Sequence, residues 1–245
     1  LSDSNNITVF FQYHQFDLII NCAAHTNVDK VESEPELVEQ INHLAVKQLA
    51  EIATQKNTKL IHISTDYVFN GQQYRPYSET DDVMPQSVYG QSKLSGERAL
   101  LVTLPNNGLI IRTSWVYSAY GNNFVKTMLR LGQERGALNV ICDQVGTPTY
   151  AHDLAEAIME SVNSESFNQS IFNSEIYHYS NEGVCSWYDF AKTIFELSNI
   201  DCDVSPIETK DYPTPATRPH YSVLNKAKIK QTFKLTIPYW KESLQ

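Results

Sequence analysis

Glycine is scarce in this chain of 245 residues. There are nine glycines, the first is Gly71, and no two stand two positions apart. A GxGxxG phosphate turn is therefore excluded within these residues. Basic charge is also scarce. Lys and Arg total 19 against 28 Asp and Glu, a net charge of −9, which argues against a nucleic-acid or membrane-surface protein. No apolar run approaches the roughly 18 residues of a spanning helix, and no basic-then-apolar signal opens the chain. The four cysteines, Cys22, Cys142, Cys185 and Cys202, are far apart, with no CxxC or HExxH. That excludes the common zinc signatures and a disulfide framework, and no metal is expected. Cys22 and Cys142 sit in apolar runs and read as small core residues, which suits a reducing cytoplasm. The chain starts at Leu1 rather than Met, as a fragment or a processed chain would.

What is present reads as a soluble globular chain, 42% hydrophobic and 19% charged. Apolar runs alternate with helical patterns. Phe16 to Ala24, Lys59 to Ser64, Gly108 to Ser114 and Leu138 to Cys142 read as buried parallel strands. Helices are expected from Pro35 to about Ala53, from Ser87 to Thr103 and from Asn122 to Arg135. This alternation implies an α/β fold with a doubly wound parallel sheet, Rossmann-like, over residues 1–145. Residues 146–245 read as a smaller substrate lobe, with some elements returning to the sheet. It holds short helices at Ala151 to Val162 and Ser186 to Ser198, and a four-proline extended segment from Pro206 to Pro219. A polar loop from Thr65 to Gln86 has the length of a functional loop.

Two YxxxK patterns occur, Tyr89 with Lys93 and Tyr188 with Lys192. Residues four apart share a helix face, and an ammonium beside a phenol lowers the phenol's pKa toward use as an acid or base. Only the first pair has context. Ser64, Thr65 and Asp66 end a buried strand 24 positions or so before Tyr89, where hydroxyls point into the ligand crevice of a parallel sheet. The alternative for Ser64 and Thr65 is to cap the next turn. Ala23 and Ala24 let a flat ligand approach the backbone, or pack under a helix. Asn42 is a polar residue among apolar helix neighbours and requires a partner or solvent. Trp115 follows a strand end, as core or as a ligand platform. Arg218 is a candidate anion clamp or a surface arginine.

Taken together, NCAAHTNVDKVESEPE, HISTDYVFNG, VYGQSKLSGE, RTSWVYSAYGNNFVKTMLRL, DQVGTPTY and YPTPATRPHYSVL resemble the extended short-chain dehydrogenase/reductases. Within these they look like the dTDP-4-dehydrorhamnose reductase family, over essentially the whole chain. The resemblance implies hydride transfer from NADPH or NADH to C4 of a dTDP-linked 4-keto-6-deoxy sugar, yielding dTDP-L-rhamnose. It makes Tyr89 the general acid, with Lys93 lowering its pKa and holding the nicotinamide ribose. Thr65 would bond the C4 oxygen. Ala23, Ala24, Thr26, Asn42, Ser64, Tyr89 and Lys93 would line the cofactor, and Thr65, Asp66 and Trp115 the sugar. A role for Arg218 at the diphosphate extends this from its charge. A cytoplasmic enzyme and a homodimer accord with the family, with neither nucleic acid nor membrane as partner. Related dehydratases carry an acid where this chain has Tyr67, which cannot act as a carboxylate base. The alternatives are a non-catalytic regulatory subunit, like that of methionine adenosyltransferase, or a reductase or epimerase for another nucleotide sugar. The family opens with a strand, a glycine-rich turn and a helix. Here Leu1 to Gln15 reads instead as the stretch leading into the first strand, which predicts weak cofactor affinity for these residues alone.

Overall fold

A computed structural model describes residues 1–245. The opening stretch is a helix, α1 (Ser4–Tyr13), capped by the Asp3 carboxylate on the Asn6 amide. Strand β1 (Leu18–Asn21) is shorter than the apolar run that contains it. Next come α2 (Pro35–Glu39), a π turn over Gln40–Leu44, and α3 (Ala45–Lys56), closed by Asn57 in the left-handed region. Then β2 (Lys59–Thr65) leads through the long loop to α4 (Val88–Thr103), whose N-cap is Ser87. The pattern continues with β3 (Gly108–Thr113), β4 (Val116–Tyr117), α5 (Phe124–Glu134) and β5 (Ala137–Ile141). After these come β6 (Val145–Gly146), β7 (Thr149–Tyr150), α6 (Ala151–Asn163), β8 (Glu175–His178) and β9 (Cys185–Ser186). The chain ends with α7 (Trp187–Ser198), β10 (Asp203–Ile207), α8 (Ala227–Phe233) and α9 (Trp240–Leu244).

The central sheet is parallel, in the order β1-β2-β3-β8. Alternation along β2 and β3 feeds two cores. Ile61, Leu109 and Ile111 face α6 and α8, with Leu154, Ile158, Ile229 and Phe233. Leu60 and Ile110 face α3 and α4, with Val46, Leu49, Ala50 and Leu100, and Ile7 of α1 joins them. Burying each such Leu or Ile contributes about 1.5–3 kcal/mol. Helices on both faces make this the doubly wound arrangement that the alternation of elements implies.

One strand is not where the pattern suggests. The Leu138 to Cys142 run does not join the central sheet. Its β5 pairs with β10 in a separate parallel pair, and β8 takes the place beside β3. The reason is packing: Met128 of α5 and Val140 of β5 share a core with Phe190, Ile194 and Phe195 of α7 and with Trp240. Two further two-stranded pairs, β4 with β7 and β6 with β9, join this lobe to the sheet's C-terminal edge. The cysteine expectation also changes. Cys22 is exposed and Cys142 half-buried, while Cys185 is the buried one.

Candidate active site

β2 ends at Thr65, and α4 begins with Tyr89 on its first turn. Gly90 lets the two meet. A Cβ at position 90 would overlap the Tyr67 carbonyl oxygen. Tyr89 is 9% exposed and packs edge-on against Tyr67, ring centroids 5.5 Å apart. Burial pushes its phenol up to about 12, and the nearby Thr65 hydroxyl offsets part of that rise. Thr65 also accepts the Tyr67 amide at 3.2 Å and donates to Asp66 Oδ1 at 3.1 Å. The structure thus brings Thr65 and Tyr89 together at the C-terminal end of the sheet.

Lys93 lies one helical turn on, but it does not lower the phenol as the YxxxK spacing suggests. It is 1% exposed, and its Nζ donates to the Ile63 carbonyl at 2.6 Å and lies 3.2 Å from His62 Nε2. Burial lowers this ammonium to about 8.

Four other expected site residues are internal or already engaged. Ser64 donates its hydroxyl to Glu97, which also receives Arg112 through two bonds of 2.9 and 2.7 Å. Ser64 therefore braces β2 against α4, and its hydroxyl is already engaged there. Asn42 is fully buried in the π turn. It accepts the His25 amide at 2.8 Å and donates to the His25 carbonyl and to Ser92 Oγ. It fixes the loop after β1 from behind. Asp66 is 2% exposed, and its carboxyl is raised to about 6 by burial, so it sits beneath the crevice wall. Arg218 forms a two-point ion pair with Asp29, at 2.7 and 3.1 Å, and its charge is compensated there. It ties the proline-rich segment to the loop after β1, and this engagement argues against a free diphosphate clamp.

Trp115 adopts a left-handed backbone, φ 49°, unusual for a bulky side chain. Its ring stacks on Trp187 at 3.6 Å, and Gly146 lies against its edge. At the other side of the crevice Cys22, Ala23 and Thr26 are exposed and Ala24 is half-buried. The side chains of Ala23 and Ala24 end at Cβ, so a planar ring can reach this strand end, as a nicotinamide cofactor requires. Tyr188 of the second YxxxK packs on the lobe core instead. The residues that sequence patterns missed are Asn21, His62, Glu97, Arg112, Asp29 and Trp187. A polar side chain inside the apolar LIHIS run was the available signal for His62.

Comparison with known proteins identifies the family and the fold. Residues 1–245 match the family described as RmlD substrate binding domain. A dTDP-4-dehydrorhamnose reductase of Aggregatibacter actinomycetemcomitans is 43% identical over 236 residues, covering 94% of this chain and 79% of the relative. A crystal structure of a dTDP-4-dehydrorhamnose reductase from Clostridium acetobutylicum superposes with a TM-score of 0.93 at 42% identity, over 99% of this chain and 84% of that one. Another, from Bacillus anthracis and in complex with NADP, has a TM-score of 0.92 at 38% identity with the same coverage. With the family's model matched over residues 1–245 and a reductase relative 43% identical over 94% of its length, the chain belongs to the dTDP-4-dehydrorhamnose reductase family.

Proposed function

We propose that the protein reduces the C4 ketone of dTDP-4-dehydro-L-rhamnose to dTDP-L-rhamnose, with Tyr89 as the general acid. Bound NADPH or NADH supplies the hydride. Ala23, Ala24, Thr26 and Lys93 would hold that cofactor at the strand end. The Thr65 hydroxyl bonds the C4 oxygen and orients it toward Tyr89. A phenol near 12 stays protonated at neutral pH, yet it is acidic enough to protonate an alkoxide as it forms. Trp115, backed by Trp187, forms the wall against which the sugar rests. Tyr67 stands where a dehydratase needs a carboxylate, so reduction is favoured over dehydration. The unpaired thiols suit the cytoplasm. A homodimer is part of the same reading, and light scattering checks it.

The observation that carries the reading is the meeting of Thr65 and Tyr89 at the C-terminal end of β2. The test follows loss of NADPH absorbance with the dTDP-4-keto-6-deoxy sugar. Tyr89→Phe lowers kcat by about 10²- to 10⁴-fold. An unchanged rate in that variant overturns the assignment.

A further inference from the structure

Behind the crevice, three buried side chains form one line of hydrogen-bonding groups. His62, in the middle of β2, is fully buried. Its Nδ1 lies 3.1 Å from Asn21 Nδ2, and its Nε2 lies 3.2 Å from Lys93 Nζ. Asn21 is fixed at the far end, where its Oδ1 accepts the Ala23 amide at 3.1 Å.

Donors and acceptors along this line can be counted. With Oδ1 on the Ala23 N–H, Asn21 presents its NH₂ to His62, and in this setting Nδ1 accepts, whereas the Asn21 backbone carbonyl near the ring favours a ring proton. With Nδ1 accepting, a neutral imidazole carries its single proton on Nε2. That proton points at Lys93, and an ammonium has donors only and cannot receive it. This setting therefore matches a neutral amine. A charged Lys93 matches the reverse setting. Nε2 then accepts, Nδ1 carries the proton, and the Asn21 amide turns to receive it on Oδ1. The two ends of an amide have nearly the same shape, so both settings fit the same space. In the second, the Ala23 N–H loses its partner. A doubly protonated ring fits neither setting, and burial holds His62 well below its ordinary value.

We propose that Asn21 and His62 are positioning residues for Lys93, tying its charge to the orientation of the Asn21 amide and so to the Ala23 N–H at the strand end. The inference rests on Lys93 belonging to the reductase site. An acceptor arriving at the Ala23 N–H replaces Asn21 there, and the released amide favours the ammonium. Other groups facing Lys93 are Cys22, just past β1, and Glu97, on α4 itself. Glu97 is held by Arg112 of β3 and Ser64 of β2, and so is not free to take the place of His62.

Ring-nitrogen NMR of isotopically labelled protein tests this between about pH 6 and about pH 11, a range spanning ordinary His and Lys values. The His62 proton moves from Nδ1 to Nε2 over the same interval in which Lys93 discharges. A ring that keeps one tautomer throughout refutes the coupling. Asn21→Asp offers acceptors only, which fixes the proton on Nδ1 and keeps Lys93 charged. Its Lys93 transition rises by about one pH unit, a tenfold change, and the basic limb of the kcat/KM profile moves with it. Asn21→Leu cannot produce that rise. If the two variants shift the transition equally, or if Asn21→Asp leaves it in place, the proposal fails. The NMR arm needs no turnover. A coupled tautomer in a protein without reductase activity would sink the proposed reaction and leave the relay standing.

Discussion

Removing Glu97 is the sharpest test of how this site is held together. Glu97 and Arg112 are 1% and 2% exposed, and their ion pair closes at 2.7 Å. Glu97 also receives the Ser64 hydroxyl, so one carboxylate joins α4 to both β2 and β3. Glu97 is the carboxylate in direct contact with Arg112, and Glu79 acts on it only at longer range. The remaining terminal nitrogen of Arg112 is buried without a hydrogen-bond partner. Glu97→Leu therefore leaves a guanidinium buried with no counter-charge in contact, a loss of about 3–5 kcal/mol. With a transition entropy near 2.1 cal/mol/K per residue, or about 0.5 kcal/mol/K for this chain, the Tm falls by about 6–10 °C. Calorimetry and urea unfolding measure this. Glu97→Leu combined with Arg112→Met removes both charges and recovers much of the loss, because the desolvated charge goes with the pair. A single variant within about 1 kcal/mol of the parent, or a double variant worse than the single by several kcal/mol, refutes the argument.

The remaining predictions concern the crevice, the lobe and acid stability. Gly90→Ala drives a methyl into the Tyr67 carbonyl and displaces the loop that carries Thr65, so kcat falls with a loss of about 1–3 kcal/mol in stability, read by assay and urea melt. Arg218→Gln frees the proline-rich segment from Asp29, and steady-state kinetics show KM for the sugar nucleotide rising several-fold with kcat little changed; an unchanged KM would mean the ion pair holds nothing the substrate uses. His178 donates from Nδ1 to the Tyr77 carbonyl and is held neutral by burial, down to about 3. The unfolded ring takes a proton below about pH 6.5, so its contribution is complete above that pH. It is lost as pH falls, at about 1.4 kcal/mol per unit. His62 adds a second loss of the same sign. Stability measured from neutral to acid pH is shallower in His178→Gln, and an identical slope would show that the ring titrates in the fold.

Much of this architecture was legible in the sequence because it is written locally. The β2 and β3 runs, the Ser87 cap and the YxxxK helix are each set by residues within a few positions of one another. Other features depend on distant partners. The Leu138 to Cys142 run has the same composition whether it lies in the central sheet or beside β10, and only the packing of α5 on α7 decides. Arg218 reads as a free cation until Asp29, 189 positions away, is placed beside it. Asn42 was recognisable as a polar group among apolar neighbours and Ser64 as a strand-end hydroxyl, but whether such a group faces a ligand or a neighbouring helix depends on tertiary packing. Helix α1 was local after all. Asp3 as cap, with Ile7 and Phe11 one turn apart, carried a signal that the short apolar cluster obscured.

The wide turn at Gln40–Leu44 has a consequence for how this protein can change length. It carries Asn42, whose carbonyl lies against Gly96 so closely that no side chain fits between them. A π turn holds one residue more than an ordinary helical turn. Deleting a single residue there would let the helix heal, with no break to mark the site. The segments on either side would keep roughly their present headings, because the wide turn already absorbs the extra residue, and the Asn42 carbonyl's seat against Gly96 would be what is lost. The same deletion inside α3 would turn everything beyond it by about 100° and take Leu49 and Ala53 out of their core. A one-residue gap is therefore absorbed at this turn and not within α3.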